Sequence, residues 1–297
     1  MKQILNLDFY SGQDLYSDGQ IEDELLEILT NNDDLSSVLK KDDRWPILYH
    51  LSDIRHNLLD WYPFGKDSSV LEIGAGCGAI TGVLCKNAGQ VTCVELSKRR
   101  SMINAERNKK YDNFEIMVGN FEDIKIDKKF DYVTLIGVLE YSPSYIKSGD
   151  SFDSMLEKIK GFLKPNGKVI IAIENKFGLK YFAGASEDHT GKMFDGINNY
   201  DGINSVKTFT KKELTKVLTK NGFDNLEYYY PMPDYKLPEV IYSDEYLPKA
   251  GDLRNMVKVY DRDRFELFNE DVVYDQLCDD ELIDYFANSF LVIGQVQ

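Results

Sequence analysis

The sequence predicts an α/β protein built on a doubly wound, mostly parallel sheet. Three observations carry that expectation. Residues 70–78 read Val-Leu-Glu-Ile-Gly-Ala-Gly-Cys-Gly, an apolar run that ends in a glycine-rich turn. Glu95 closes the next apolar run, Val-Thr-Cys-Val-Glu, 19 residues after Gly76. Two further apolar runs, Phe130 to Ile136 and Val169 to Ile173, alternate with helical segments, as in βαβ units. In such sheets the backbone approaches a nucleoside-bearing ligand at the glycines. A carboxylate at the end of the second strand accepts from ribose hydroxyls.

The elements follow from local pattern. Residues 1–66 precede the first strand and are too long for a simple tail. Ile21, Leu25, Leu26, Ile28 and Leu29 have helical spacing, and Trp45 to Leu48 and Ile54 to Trp61 suggest further helices. This region is expected to form an N-terminal helical cap across the cofactor mouth. Strand one is 69–73, a helix covers 77–88, and strand two is 91–95. A helix at 98–110 leads to strand three at 114–118 and a loop at Asn120-Phe121-Glu122-Asp123. Strand four is 130–136, a helix covers 151–163, and strand five is 168–174. Thr210 opens a helix at 211–221, because Thr-Lys-Lys-Glu is a capping box. Phe223 to Tyr230 is strand six and Ser289 to Val296 is strand seven.

Seven strands are therefore expected, with a core at 67–230 that carries a rim insertion at 175–206. A large insertion at 231–287 separates strand six from the last core strand at 288–297. It opens with Pro231, Pro233 and Pro238. Residues 231–297 hold 15 Asp and Glu against 6 Lys and Arg, so the insertion reads as an acidic lid.

Composition narrows the function. The 297 residues carry a net charge of −15. Binding to a nucleic-acid backbone needs clustered cations, because it is driven by counterion release. The compact basic runs are Lys98-Arg99-Arg100 and Lys109-Lys110, both on one expected helix, where they read as a solvated face. Nucleic acid is disfavoured as a partner. Cys77, Cys85, Cys93 and Cys278 make no metal-ligand spacing, so no metal is expected. The N-terminus lacks the apolar core of a signal peptide, and no run is long enough to span a membrane. A cytoplasmic protein is expected.

Two cofactors compete for the glycine turn. Gly74-x-Gly76-x-x-Ala79 satisfies the loose dinucleotide pattern, and Glu95 is placed for the ribose. Glu72, two residues before Gly74, favours a cofactor with an ammonium group over an anionic pyrophosphate. The glycines at 74, 76 and 78 also keep the turn free of side-chain bulk.

The segments VLEIGAGCG, VTCVELS, GNFED, FDYVTLIGVLEY and LKPNGKVIIAIEN resemble the successive motifs of class I methyltransferases dependent on S-adenosylmethionine (SAM). The resemblance covers about residues 66–230 and resumes at the C-terminus. It implies a Rossmann-like fold, SAM as cofactor and S-adenosylhomocysteine as product. A narrower resemblance, carried by WYPF, ENKFGLKYFAG, EDHTG, PDYKLP, SDEYLP and FANSFL, is to a bacterial group associated with glycan-biosynthesis proteins. It implies a small-molecule or glycan-linked acceptor and glycosyltransferases as partners.

Site residues follow from the motifs. Gly74, Ala75, Gly76 and Gly78 would line methionine and ribose. Glu72 would orient the ammonium, and Glu95 with Leu96 would meet the ribose. Asn120 and Phe121 would meet adenine, with Asn120 standing where the family commonly has an acidic residue. Ile136 and Gly137 would lie beside the sulfur. On the acceptor side, Glu140 follows strand four and Glu174 follows strand five. His189, within Glu187-Asp188-His189-Thr190-Gly191, is the best source of a base. Adjacent residues point apart, so Asp188 orients His189 only if the loop folds back. Tyr228, Tyr229, Tyr230, Tyr235, Tyr242 and Tyr246 would give the rim an aromatic surface. The reading is methyl transfer to a hydroxyl or amine. Its alternatives are a protein or peptide methyltransferase, a non-catalytic SAM-binding scaffold and an NAD(P) oxidoreductase.

Overall fold

The protein is described here by a computed structural model that covers residues 4–32, 34–147, 150–257 and 264–296. Its contacts divide into two compact units. The first comprises residues 1–135 and 161–169, the second 136–160 and 170–297.

In the first unit, β1 (Leu5–Asn6) is followed by helices α1 (Ile21–Asn31), α2 (Ser36–Leu39) and α3 (Trp45–Leu51), and by a 3-10 turn at Asp53–Leu58. Strand β2 (Ser69–Ile73), helix α4 (Ala79–Asn87), strand β3 (Gln90–Glu95), helix α5 (Lys98–Arg107), strand β4 (Phe114–Val118) and strand β5 (Phe130–Ile136) continue the chain. The strands order as β1-β4-β3-β2-β5, and the pairings β1–β4, β4–β3, β3–β2 and β2–β5 are parallel. Strands β2 and β3 are buried along nearly their whole length, as expected of parallel strands covered on both faces.

The N-terminal helices pack on the first unit's own core. Leu25, Leu29, Ile47 and Leu51 bury themselves with Ile103 of α5 and with Cys77 of the glycine turn. A carboxylate also caps α5, since Asp14 accepts the N–H groups of Lys98 at 2.7 Å and Arg99 at 3.1 Å. The basic run on α5 departs from the expected solvated face. Arg99 pairs with Asp23 at 3.1 Å, and Arg100 lies over the Tyr16 ring, 3.8 Å from Asp18 and 3.9 Å from Glu22. Acidic residues upstream neutralise these cations, which a reading of the basic run alone could not show.

The second unit holds α6 (Ser142–Tyr145), most of α7 (Ser151–Phe162) and the C-terminal part of β6 (Leu163–Glu174). It continues with α8 (Leu179–Phe182), α9 (Lys211–Lys220), β7 (Phe223–Met232), β8 (Val240–Ser243), α10 (Glu270–Asp279), α11 (Ile283–Phe286) and β9 (Ser289–Val296). Its strands order as β6-β9-β7-β8, with β7 antiparallel to both β9 and β8. The α9 capping box forms as expected. Thr210 Oγ1 accepts the Glu213 N–H, and the Glu213 carboxylate accepts the Thr210 N–H.

Nine strands are present among the described residues, two more than expected. The additions, β1 and β8, are edge strands of two and four residues, too short to leave a periodic signal. Strand β8 lies inside the 231–287 insertion. That segment thus extends the sheet as well as carrying acidic residues, and its residues 258–263 lie outside the described ones. Strand β6 begins at Leu163, where a helix end and turn were expected. Among the described residues, no helix is long and apolar enough to cross a membrane.

Candidate active site

The glycine turn of the first unit has the backbone its sequence demands. Gly74, Gly76 and Gly78 take φ of 71°, 54° and 80°, a region that side chains disfavour. A Cβ on Gly78 would lie 2.3 Å from Asn104 Oδ1, so close packing also requires glycine there. The carboxylate of Glu95 is buried at the end of β3. It accepts the Gly76 N–H at 2.7 Å and the Ser97 N–H at 2.9 Å, which ties the turn to the next helix. Ala75 is buried and Leu96 half-buried within the same turns.

Glu72 is turned into the protein. It accepts from Thr81 Oγ1 at 2.6 Å and faces Cys93 Sγ at 3.4 Å. Burial pushes its carboxyl up to about 7. Asn120 accepts the Glu122 N–H at 3.1 Å through its side chain, so it shapes its own turn, and Phe121 packs on Phe162. Glycines in the left-handed region, a carboxylate closing β3 and an amide after β4 form a donor set that fits an adenosine-bearing cofactor.

The second unit gathers the three acceptor-side residues expected from sequence. Glu140 comes from the 3-10 turn at Leu139–Tyr141, Glu174 ends β6, and His189 lies in the loop after α8. His189 Nε2 stands 3.7 Å from Glu140 Oε1 and 3.7 Å from Glu174 Oε2. Nδ1 meets Glu187 Oε1 at 2.7 Å. The loop does fold back, but Glu187 rather than Asp188 orients the ring. The other Glu187 oxygen accepts the N–H groups of His189 and Thr190, so one carboxylate fixes both loop and imidazole. Tyr200 adds its hydroxyl to Glu187 at 3.0 Å.

A second layer of charge supports these groups. Glu174 Oε1 accepts from Tyr235 Oη at 3.1 Å and from Lys236 Nζ at 2.8 Å. Asp188 accepts from Lys180 Nζ at 2.8 Å, from Lys236 Nζ at 2.5 Å and from the Tyr181 hydroxyl. Gly137 (φ 69°) opens the turn after β5, and a Cβ there would lie 2.7 Å from the Tyr235 hydroxyl. Ile136 precedes it as the last residue of β5.

The electrostatics do not suit His189 to act as a base in this arrangement. Burial opposes its charge, but Glu174, Glu140 and Glu187 outweigh burial and raise it to about 11. The ring is protonated at neutral pH, so Nε2 has no free lone pair. Burial instead raises Glu140. Both Glu140 oxygens and Glu174 Oε2 are buried and accept no hydrogen bond.

Lys180 and Lys236 were not expected at the site; Glu187 was named only as part of the loop around His189, and Tyr235 only as a rim tyrosine. They lie in ENKFGLKYFAG, EDHTG and PDYKLP, the segments that carried the narrower resemblance. Of the rim tyrosines, Tyr228, Tyr230, Tyr235 and Tyr242 are buried while Tyr246 is exposed. His50 is buried against Asp18 at 3.5 Å in the first unit, where burial lowers it to about 4.

Residues 71–171 match the family described as "Methyltransferase domain". The chain is 23% identical over 164 residues to ribosomal RNA small subunit methyltransferase A of Bacillus cytotoxicus, covering 53% of each protein. It is 26% identical over 112 residues to malonyl-[acyl-carrier protein] O-methyltransferase of Priestia megaterium, covering 37% of this chain and 38% of that one. The chain thus spans about half the length of the curated relatives it matches. Among solved structures, its fold is like that of Haemonchus contortus phosphoethanolamine N-methyltransferase 1 in complex with phosphoethanolamine and S-adenosylhomocysteine. The TM-score is 0.51 at 14% identity, covering 93% of this chain and 48% of that one. Residues 71–171 thus match a methyltransferase domain, and they contain the glycine turn and Glu95.

Proposed function

We propose that this chain transfers the methyl group of SAM to a hydroxyl or amine of a small-molecule or glycan-linked acceptor. The observation that carries the reading is the glycine turn tied to the buried Glu95, inside a segment that matches a methyltransferase domain. The sulfonium supplies both the methyl group and a good leaving group. What remains for the chain is to hold the cofactor, hold the acceptor and take a proton.

The second unit offers the chemistry for the last two tasks. A hydroxyl or ammonium brings hydrogen-bond donors, and Glu140 and Glu174 present buried oxygens that lack them. Burial raises Glu140 and so makes it a stronger proton acceptor than an exposed carboxylate. His189 is a positioning residue in this reading, held by Glu187 and facing both glutamates. A net charge of −15 disfavours an RNA substrate such as that of the related ribosomal RNA methyltransferase, because clustered cations are what bind a phosphate backbone.

Isothermal titration of the purified chain tests the cofactor. SAM and S-adenosylhomocysteine are expected to bind with micromolar affinity and NAD not at all. Absence of SAM binding overturns the reading, and NAD binding alone would replace it by an oxidoreductase. Incubation with labelled SAM and panels of nucleotide sugars, short glycans and small amines then tests the acceptor, with label expected in a hydroxyl- or amine-bearing product. Label found only in added basic peptides would move the acceptor class to protein.

A further inference from the structure

We propose that Glu140, Glu174 and His189 hold one hard or borderline divalent cation, such as Mn2+, Fe2+ or Zn2+. One ligand atom from each of the three lies within 4.8 Å of the others. No metal was expected from the spacing of the four cysteines, and Glu140, Glu174 and His189 stand 34 and 15 positions apart in no ligand motif. The fold brings them together from a 3-10 turn, a strand end and a loop.

Three observations point to a cation rather than to a closed hydrogen-bond network. First, both oxygens of Glu140 and one of Glu174 are buried with no donor, and Glu140 Oε1 and Glu174 Oε2 face the imidazole. Buried carboxylate oxygens are ordinarily satisfied, so something beyond the side chains is expected to complete them. Second, the 3.7 Å separations are too long for a hydrogen bond from Nε2 to either glutamate. They are close to the spacing of two ligands on one ion. Metal–ligand bonds of about 2.1 Å at a tetrahedral angle place two ligand atoms about 3.4 Å apart, so each Nε2–carboxylate pair needs an adjustment of about 0.3 Å, and the two glutamates, within 4.8 Å of each other, a larger one.

Third, the outer partners are those a metal site needs. A ligating histidine generally donates its other N–H to a carboxylate, which fixes the tautomer and turns the free lone pair toward the ion. Here Glu187 Oε1 sits 2.7 Å from Nδ1, and an ion on Nε2 would take the place of the proton that the carboxylates otherwise hold there. Tyr235 and Lys236 hold Glu174 through Oε1 and leave Oε2. An imidazole with two carboxylates suits borderline and hard divalent ions over soft ones. Three protein ligands leave positions for water or for an acceptor oxygen, whose proton the ion would make easier to remove. The second Glu140 oxygen remains to take that proton. This last role rests on the methyl-transfer reading, whereas cation binding does not.

The test uses the full chain, stripped with EDTA and titrated with Mn2+ while the free-ion EPR signal is recorded. One equivalent is expected to bind saturably, with Zn2+ competing. Glu140→Gln and Glu174→Gln are expected to weaken binding at least 100-fold, and Glu187→Gln by about 10–100-fold, because it leaves all three ligands but loosens the imidazole. SAM titration of each variant reports whether it is folded. Wild-type protein gives a readout that needs no variant: Mn2+ should broaden the NMR signals of one histidine and spare the other two. Absence of saturable binding by wild-type protein overturns the proposal, and so does binding that persists unchanged in Glu140→Gln and Glu174→Gln. Cation binding without SAM binding would keep this site and discard the methyl-transfer reading.

Discussion

Both units bury carboxylates, but they satisfy them differently. In the first unit Glu95 accepts two backbone N–H groups, and Glu72 accepts from the Thr81 hydroxyl with the Cys93 thiol beside it. These groups are complete within the fold and brace the glycine turn. In the second unit Glu140 and Glu174 are as deeply buried, yet three of their oxygens lack donors. Around them stand His189, Lys180 and Lys236, held by Glu187 and Asp188. A satisfied buried carboxylate is architecture. An unsatisfied one within a charged cluster is a place where a ligand or an ion completes the structure.

Removing the central anion of that cluster should break the comparison most severely. Asp188 is the shared partner of Lys180 and Lys236, and despite burial their charges hold its carboxyl well below the usual range. Asp188→Asn leaves two buried ammonium groups short of a counter-charge. Breaking buried pairs of this kind costs on the order of 3–5 kcal/mol. A denaturant titration should show that loss, and a change under about 1 kcal/mol would mean that solvent or Glu174 compensates. Glu140→Gln is nearly isosteric and should leave stability close to wild type. It should lower methyl transfer by on the order of 100-fold if Glu140 takes the proton. Steady-state kinetics with SAM affinity measured alongside will separate this loss from weakened cofactor binding. Unchanged turnover would return the carboxylate to a structural role.

The two units also differed in how far their chemistry could be read from the sequence. The glycine turn and Glu95 are legible because one βαβ unit encloses them and because the backbone at glycine, not a distant contact, does the work. The strand and helix order from β2 to β6 follows for the same reason. In the second unit, Glu140, Glu174 and His189 could be named as polar residues on expected rim segments. That they meet, and that Glu187 rather than Asp188 holds the ring, depends on how loop 183–192 folds and on Lys236 from a segment 47 positions beyond His189. Nothing local encodes that meeting. Strands β1 and β8 were missed because their pairing is decided by a neighbouring edge and not by their own two or four residues.

Glu95→Ala addresses the first unit on the same terms. It removes the acceptor of Gly76 and Ser97 and, on the proposed function, the ribose partner, so SAM affinity should fall by about 1.5–3 kcal/mol. Equal calorimetric affinity would show that the turn binds without its carboxylate.

The smallest effect is expected at Glu72, where completeness has an electrostatic cost. Burial raises its carboxyl to about 7 from an ordinary 4.5. Between these values the folded state binds more protons than the unfolded chain at this site, so the contribution of Glu72 to stability falls as pH rises through that window. Below 4.5 the group is protonated in both states, and the contribution is fully present. Above 7 it is ionised in both and the loss is complete. Glu72→Gln cannot ionise, and its amide oxygen can still accept from Thr81. The variant should therefore match wild type more closely in acid and gain on it toward pH 8, by about 1 kcal/mol once relaxation around the buried charge is allowed for. Thermal melts of both proteins at pH 5 and pH 8 read this directly. A difference that does not change with pH would mean that the Glu72 carboxylate is fully accommodated by its donors, and the first unit would then be complete in charge as well as in hydrogen bonds.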